Sequence, residues 1–127
     1  MKTLKTCTII VILFLVNVGY AQKKQPDNSI KMKTYLIKRD MPGAGKLSQE
    51  DLQGASKKSV DVLDEMNTDI KWINSYVVDN QLYCVYEAEN KSLIKEHAKK
   101  GGFPCTEIME IKANIGPATA VANKDEK

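Results

Sequence analysis

The chain has 127 residues, enough for one compact domain and too few for two. Hydrophobic residues make up 43% and charged residues 28%, a balance that excludes disordered and collagen-like chains. The formal net charge is +3, from 19 basic and 16 acidic residues, and it falls to +1 if a leader holding Lys2 and Lys5 is removed; that is too even for a nucleic-acid-binding surface.

Residues 1–21 have the form of a cleaved secretory signal peptide. Lys2 and Lys5 precede an apolar run from Thr8 to Val16, and Gly19-Tyr20-Ala21 puts small residues at the two positions a signal peptidase reads before Gln22. The apolar run is shorter than the ~20 residues that span a bilayer. Cys7 precedes the run, so it is not placed for lipidation. The mature chain is expected to be periplasmic or secreted, with no membrane attachment after cleavage. Export puts Cys84 and Cys105 in an oxidising compartment, where a disulfide or two separate thiols both remain open.

Residues 22–32 read as a polar linker. Lys33–Arg39 is a short β-rich run, followed by a turn-dense loop, Asp40-Met-Pro-Gly-Ala-Gly-Lys46. The loop superficially resembles a phosphate loop, but Leu47 follows Lys46 where that motif needs Ser or Thr, so a structural turn is the better reading. Ser48, with Asp51 three residues on, caps a helix that ends near Asn67 and carries Leu52, Ala55, Ser59, Leu63 and Met66 on one face. Lys71–Val78 and Gln81–Ala88 are strands joined at Asp79-Asn80, whose tolerance of positive φ suits a tight hairpin. Asn90 or Ser92 starts a second helix with Leu93, Ile94, His97, Ala98 and Gly101 along one stripe, stopped by Gly101-Gly102 and Pro104. Thr106–Ile115 alternates as a final strand, and residues 120–127 form a charged tail expected to be disordered.

The order βαββαβ over residues 33–119 predicts an α+β, ferredoxin-like sandwich: a four-stranded antiparallel sheet with two helices on one face. The sheet's other face would be left uncovered and half apolar, which predicts a homodimer.

His97, the sole histidine, rules out a multi-histidine site within one chain. It is either a satisfied core histidine or a metal ligand or general base. Strand alternation makes Ile73, Val77, Tyr83 and Val85 the plainer core face, which would put Cys84, Tyr86, Asn74 and Tyr76 on the other side of the sheet from His97. The inverted assignment would bring Cys84 and His97 to one side, and the sequence leaves both open. Cys84 alone reads equally as a small buried hydrophobe. Glu96, beside His97, offers an oxygen ligand or an orienting partner.

Several segments in order carry a resemblance: Pro42-Gly-Ala-Gly45, Trp72-Ile-Asn-Ser-Tyr-Val77, Tyr83-Cys-Val-Tyr-Glu-Ala88, and Glu96-His-Ala98 followed by Gly102-Phe-Pro104. Across residues 33–119 the chain resembles a family of small bacterial ferredoxin-like proteins described as nickel-binding. The resemblance implies a dimeric α+β barrel and divalent-metal binding, with His97 and Cys84 at the matching positions able to ligate. The function expected is non-catalytic sequestration or buffering of nickel, copper or zinc, with His97, Cys84 and Glu96 as the metal residues. The alternative is a dimeric α+β barrel enzyme, such as a cofactor-independent oxygenase or isomerase acting on a small aromatic or lactone. His97 would then be the base, and Tyr83 or Tyr35 would orient the substrate.

Overall fold

The computed structural model describes residues 29–121. The predicted leader, most of the linker and the last residues of the tail lie outside them. The elements are β1 (Lys33–Asp40), α1 (Gln49–Met66), β2 (Ile70–Val78), β3 (Gln81–Ala88), α2 (Lys91–Gly101) and β4 (Glu107–Glu110). Of two short 3-10 turns, Ala44–Lys46 lies between β1 and α1 and Pro117–Val121 follows β4. The strands form an antiparallel sheet in the order β2-β3-β1-β4, with β1 and β3 central. This is the ferredoxin-like arrangement. Among the described residues no helix is long and apolar enough to cross a membrane.

Both helices begin and end where local chemistry requires. The Ser48 side chain accepts the Asp51 N–H, and the Asp51 carboxylate accepts the Ser48 N–H, a complete capping box. Asn67, in the left-handed conformation at φ 45°, ends α1. The Asn90 side chain accepts the N–H groups of Ser92 and Leu93 to start α2, and Gly102, at φ 67°, ends it.

The helices lie on the face of the sheet that carries Tyr35, Ile37 and Arg39 of β1 and Cys84, Tyr86 and Ala88 of β3. All six are buried, and Val62, Met66 and Ile94 pack against this layer. The expected core parity is therefore inverted: Tyr83 and Val85 face away from the helices, and Cys84 shares the helix side with His97. A β-bulge explains why β2 gave the wrong answer. Trp72 pairs with Tyr86, but Asn74 pairs with Val85, so the register slips at Ile73. Trp72, Ser75 and Val77 consequently sit opposite the inward or hairpin-end positions Tyr86, Cys84 and Leu82, which no period of two predicts.

Two further expectations are corrected. The last strand ends at Glu110 and does not reach Ile115, because its sole neighbour, β1, is running out: Ile111 N–H donates to Thr34 O at 2.8 Å, one residue from the β1 terminus. Neither Asp79 nor Asn80 has positive φ. The hairpin is held instead by the loop after β1. Met41 N–H donates to Asn80 O (2.9 Å), Gly45 N–H to Asp79 O (2.7 Å) and Gly43 N–H to the Asn80 side-chain oxygen (2.8 Å). The loop amides that could have cradled an anion are thus spent on the turn.

Gly45 is required by this approach, since a Cβ there would lie 3.0 Å from the Asp79 Cα and 3.2 Å from its carbonyl oxygen. Gly45→Ala should lower unfolding stability by about 1–3 kcal/mol, the usual cost of forcing apart packed groups. Urea denaturation checks it, and an unchanged midpoint would show that the contact yields freely.

Candidate functional site

Between the two helices and the sheet lies a layer of polar side chains unusual for an interior. His97, on the inward stripe of α2, has no exposed surface, and Ser59 of α1 and Tyr86 of β3 are also buried. His97 Nε2 lies 3.2 Å from the Ser59 carbonyl oxygen and 3.3 Å from Ser59 Oγ, which is itself 3.3 Å from the Tyr86 hydroxyl. A carbonyl only accepts, so Nε2 carries the proton and Nδ1 is left with a bare lone pair. Nδ1 is buried and has no hydrogen-bond partner.

Aromatic rings enclose the imidazole. Tyr86 and Phe103 each lie with ring centroids 5.4 Å from it, tilted by 50° and 33°. Phe103 folds back beneath α2 because residue 101 is glycine: a Cβ there would lie 2.1 Å from the Phe103 ring. Arg39, 3% exposed, ends the inward row of β1. Its guanidinium carbon is 5.9 Å from the Tyr86 ring centre and 5.6 Å from that of Phe103, and Nη1 donates to Pro104 O at 2.6 Å. Nη2 is buried with no partner.

Burial pushes the His97 pKa below its ordinary value near 6.5; the hydrogen bond to the Ser59 carbonyl opposes this, and the Arg39 charge adds to it. Burial likewise raises the Tyr86 pKa, against the opposing Ser59 hydrogen bond and Arg39 charge. The imidazole is therefore neutral and the phenol protonated near pH 7. Beside this cluster a cavity of about 260 Å³ opens between α1 and the sheet, bordered by Arg39, Ser59, Trp72, Cys84, Tyr86 and Phe103, among others.

The residues singled out from sequence fall in different places. Cys84 is buried on the helix side, next but one to Tyr86 along β3, and both Cys84 and Cys105 are free thiols. Glu96 points outward on α2, its carboxylate 4.0 Å from Lys100 Nζ, so adjacency in sequence to His97 does not bring the two side chains together. Tyr35 is buried on the helix side, whereas Tyr83 is on the outer face, paired across from Lys38 and Tyr76 and donating to Gln81 Oε1 at 2.9 Å. His97, Tyr35 and Tyr83 are therefore not gathered around one pocket. Among the described residues no group of three His, Cys, Asp or Glu side chains converges as a metal cage. Arg39 is the residue that sequence reasoning missed. Its signal was a charge continuing the inward parity of Tyr35 and Ile37.

Fold and site together define a small α+β protein of ferredoxin-like architecture whose polar chemistry is enclosed between helices and sheet. Residues 35–111 match the family described as "Nickel responsive protein SCO4226-like", and the chain belongs to that family. Among solved structures it is similar to SCO4226 from Streptomyces coelicolor A3(2), with a TM-score of 0.56 and 15% identity over 65% of this chain and 99% of that one. That likeness shows the fold. No curated protein matches the chain.

With a single histidine, the imidazole can be followed without assignment. Its ring-proton NMR resonance should titrate with a midpoint below 6.5. Because the unfolded chain then takes up the proton first, thermal stability should fall as pH drops through about 6.5. A midpoint at or above 6.5 would remove the neutral, buried imidazole.

Proposed function

We propose that the mature chain is an exported, non-catalytic protein that binds a divalent metal ion of the nickel, copper and zinc group, with His97 and Cys84 as its donors. Membership of a family described as nickel-responsive supports the reading. The observation that carries it is the bare Nδ1 of His97, a neutral imidazole nitrogen buried without a hydrogen-bond partner. Cys84 adds an unbridged thiol on the same side of the sheet. Imidazole and thiolate are the donor types these borderline ions prefer, so the set fits in kind. Glu96 contributes nothing to it, and water would fill the remaining positions. A bound ion would supply a fixed, Lewis-acidic charge. His97 would hold it through nitrogen and Cys84 through the deprotonated sulfur, with the Tyr86 and Phe103 rings walling the imidazole. Such a set binds Cu²⁺ more tightly than Ni²⁺, so the ion carried follows supply.

The same proposal includes a homodimer formed through the outer face of the sheet. Ile73, Tyr76 and Val78 are about half exposed there, apolar surface that a second copy would cover.

One preparation tests these points: the full chain expressed with its own leader and recovered from the periplasm without a tag. Intact mass should place the N-terminus at Gln22, and light scattering should read twice the chain mass. Elemental mass spectrometry with a thiol count should find stoichiometric nickel, copper or zinc and a free Cys84. His97→Ala and Cys84→Ser, checked for folding by circular dichroism, should each weaken metal binding about tenfold or more. A folded protein that takes up no ion, or a His97→Ala variant with unchanged affinity, overturns the metal reading.

A further inference from the structure

We propose that the cavity between α1 and the sheet binds a small monocarboxylate with an apolar body, anchored by the Arg39 guanidinium. This does not rest on the metal reading. Arg39 is 3% exposed and cannot lose its charge, yet no carboxylate pairs with it among the described residues and none lines the cavity. A buried charge with no counter-charge is costly; the Tyr86 hydroxyl interacts only weakly with the guanidinium, and Nη2 makes no hydrogen bond. An anion in the cavity that Arg39 borders would supply the counter-charge, and a small turn of the guanidinium would bring the covered Nη2 to it.

The chemistry of the lining narrows the ligand. Nη1 gives one N–H to the Pro104 carbonyl, and the two on Nη2 have no partner. No second cation lines the cavity. A single positive charge suits a monoanion and leaves a phosphate dianion half uncompensated. The rest of the wall is mostly apolar, with Leu52 and Ala55 from α1, Trp72 and Val77 from β2 and Leu82 from β3, beside the hydroxyls of Ser59 and Tyr86. At about 260 Å³ the cavity lies just below the usual range for ligand sites, so the body is that of a small metabolite.

Trp72, the chain's one tryptophan, lines the cavity and reports its occupancy. Metal-stripped protein from Gln22 to Lys127 would be titrated with cyclohexanecarboxylate, with the neutral cyclohexanecarboxamide, and with inorganic phosphate, following Trp72 emission. We expect a saturable change with the carboxylate and about tenfold or more weaker binding of the amide, the discrimination a charge-assisted hydrogen bond gives. Arg39→Gln should remove that discrimination, and heat-denaturation curves would show whether the variant is folded. If it is not, the carboxylate-to-amide ratio on the unaltered chain decides alone. No saturable response, equal affinity for acid and amide, or tighter binding of phosphate would each overturn the proposal. Because the protein is stripped of metal, none of these results bears on the His97 and Cys84 reading.

Discussion

Ser59 is the point at which three elements of the fold are tied together. Its carbonyl and hydroxyl meet the imidazole of α2, and its hydroxyl also meets the phenol of the central strand β3. Among the described residues the buried hydrogen bonds between α1 and α2 run through this one residue, which also ties them to the sheet. A small hydroxyl is what the position can hold: a larger side chain would push α1 off Tyr86, and an apolar one would take the Ser59 hydroxyl away from the Tyr86 phenol while leaving His97 Nε2 its bond to the Ser59 carbonyl. The fold keeps a polar chain where a hydrophobic core would serve stability better. Such a chain is tolerated when it is almost fully satisfied, and its two unsatisfied atoms, His97 Nδ1 and Arg39 Nη2, are then the places to look for chemistry.

Those two atoms make opposite demands. A bare imidazole nitrogen seeks a cation or a proton, and a bare guanidinium nitrogen seeks an anion. They sit in one layer, with Tyr86 and Phe103 in contact with both. Burial chiefly holds His97 neutral, and the Arg39 charge adds to that effect and would also repel a metal ion brought to the imidazole. A thiolate at Cys84 or an anion beside Arg39 would relieve that repulsion. On electrostatic grounds cation and anion binding would therefore reinforce each other: each supplies the charge that the other site lacks.

The order of elements was legible in the sequence, because each helix carries its own start and stop and the strands are rich in aromatic and β-branched residues or alternate in polarity. Ser48 with Asp51, Asn90 and Gly102 act as read. The inward stripe of α2 was also legible, and with it the burial of His97. The facing of the strands was not. On β2 the bulge at Ile73 breaks the alternation, and nothing in the residue types around Ile73 announces it. Glu96 illustrates a different limit: neighbours on a helix point about 100° apart, so sequence adjacency argued against its sharing a site with His97. Arg39 was passed over because a charged residue at a strand end ordinarily faces solvent. Here the Phe103 ring and the Pro104 carbonyl, brought in from 65 residues away, cover it.

The wrong parity on β3 has a physical cause that bears on assembly. Leu82-Tyr83-Cys84-Val85-Tyr86 is apolar without interruption, the pattern of a strand meant to be covered on both faces. One face is covered by the helices. On the other, Val85 pairs with Leu36 and Asn74, and Tyr83 with Lys38 and Tyr76, a surface that no helix of the described chain overlies and that residues 111–114 only border near Ile73 and Val85. A sheet that faced solvent there would be polar throughout, whereas here Lys38 and Asn74 are interspersed with Leu36, Tyr76, Tyr83 and Val85. The run that made the inward face unreadable is thus itself the argument for a second layer over the outer face. The proposed dimer satisfies the strand's composition in a way that a lone chain does not.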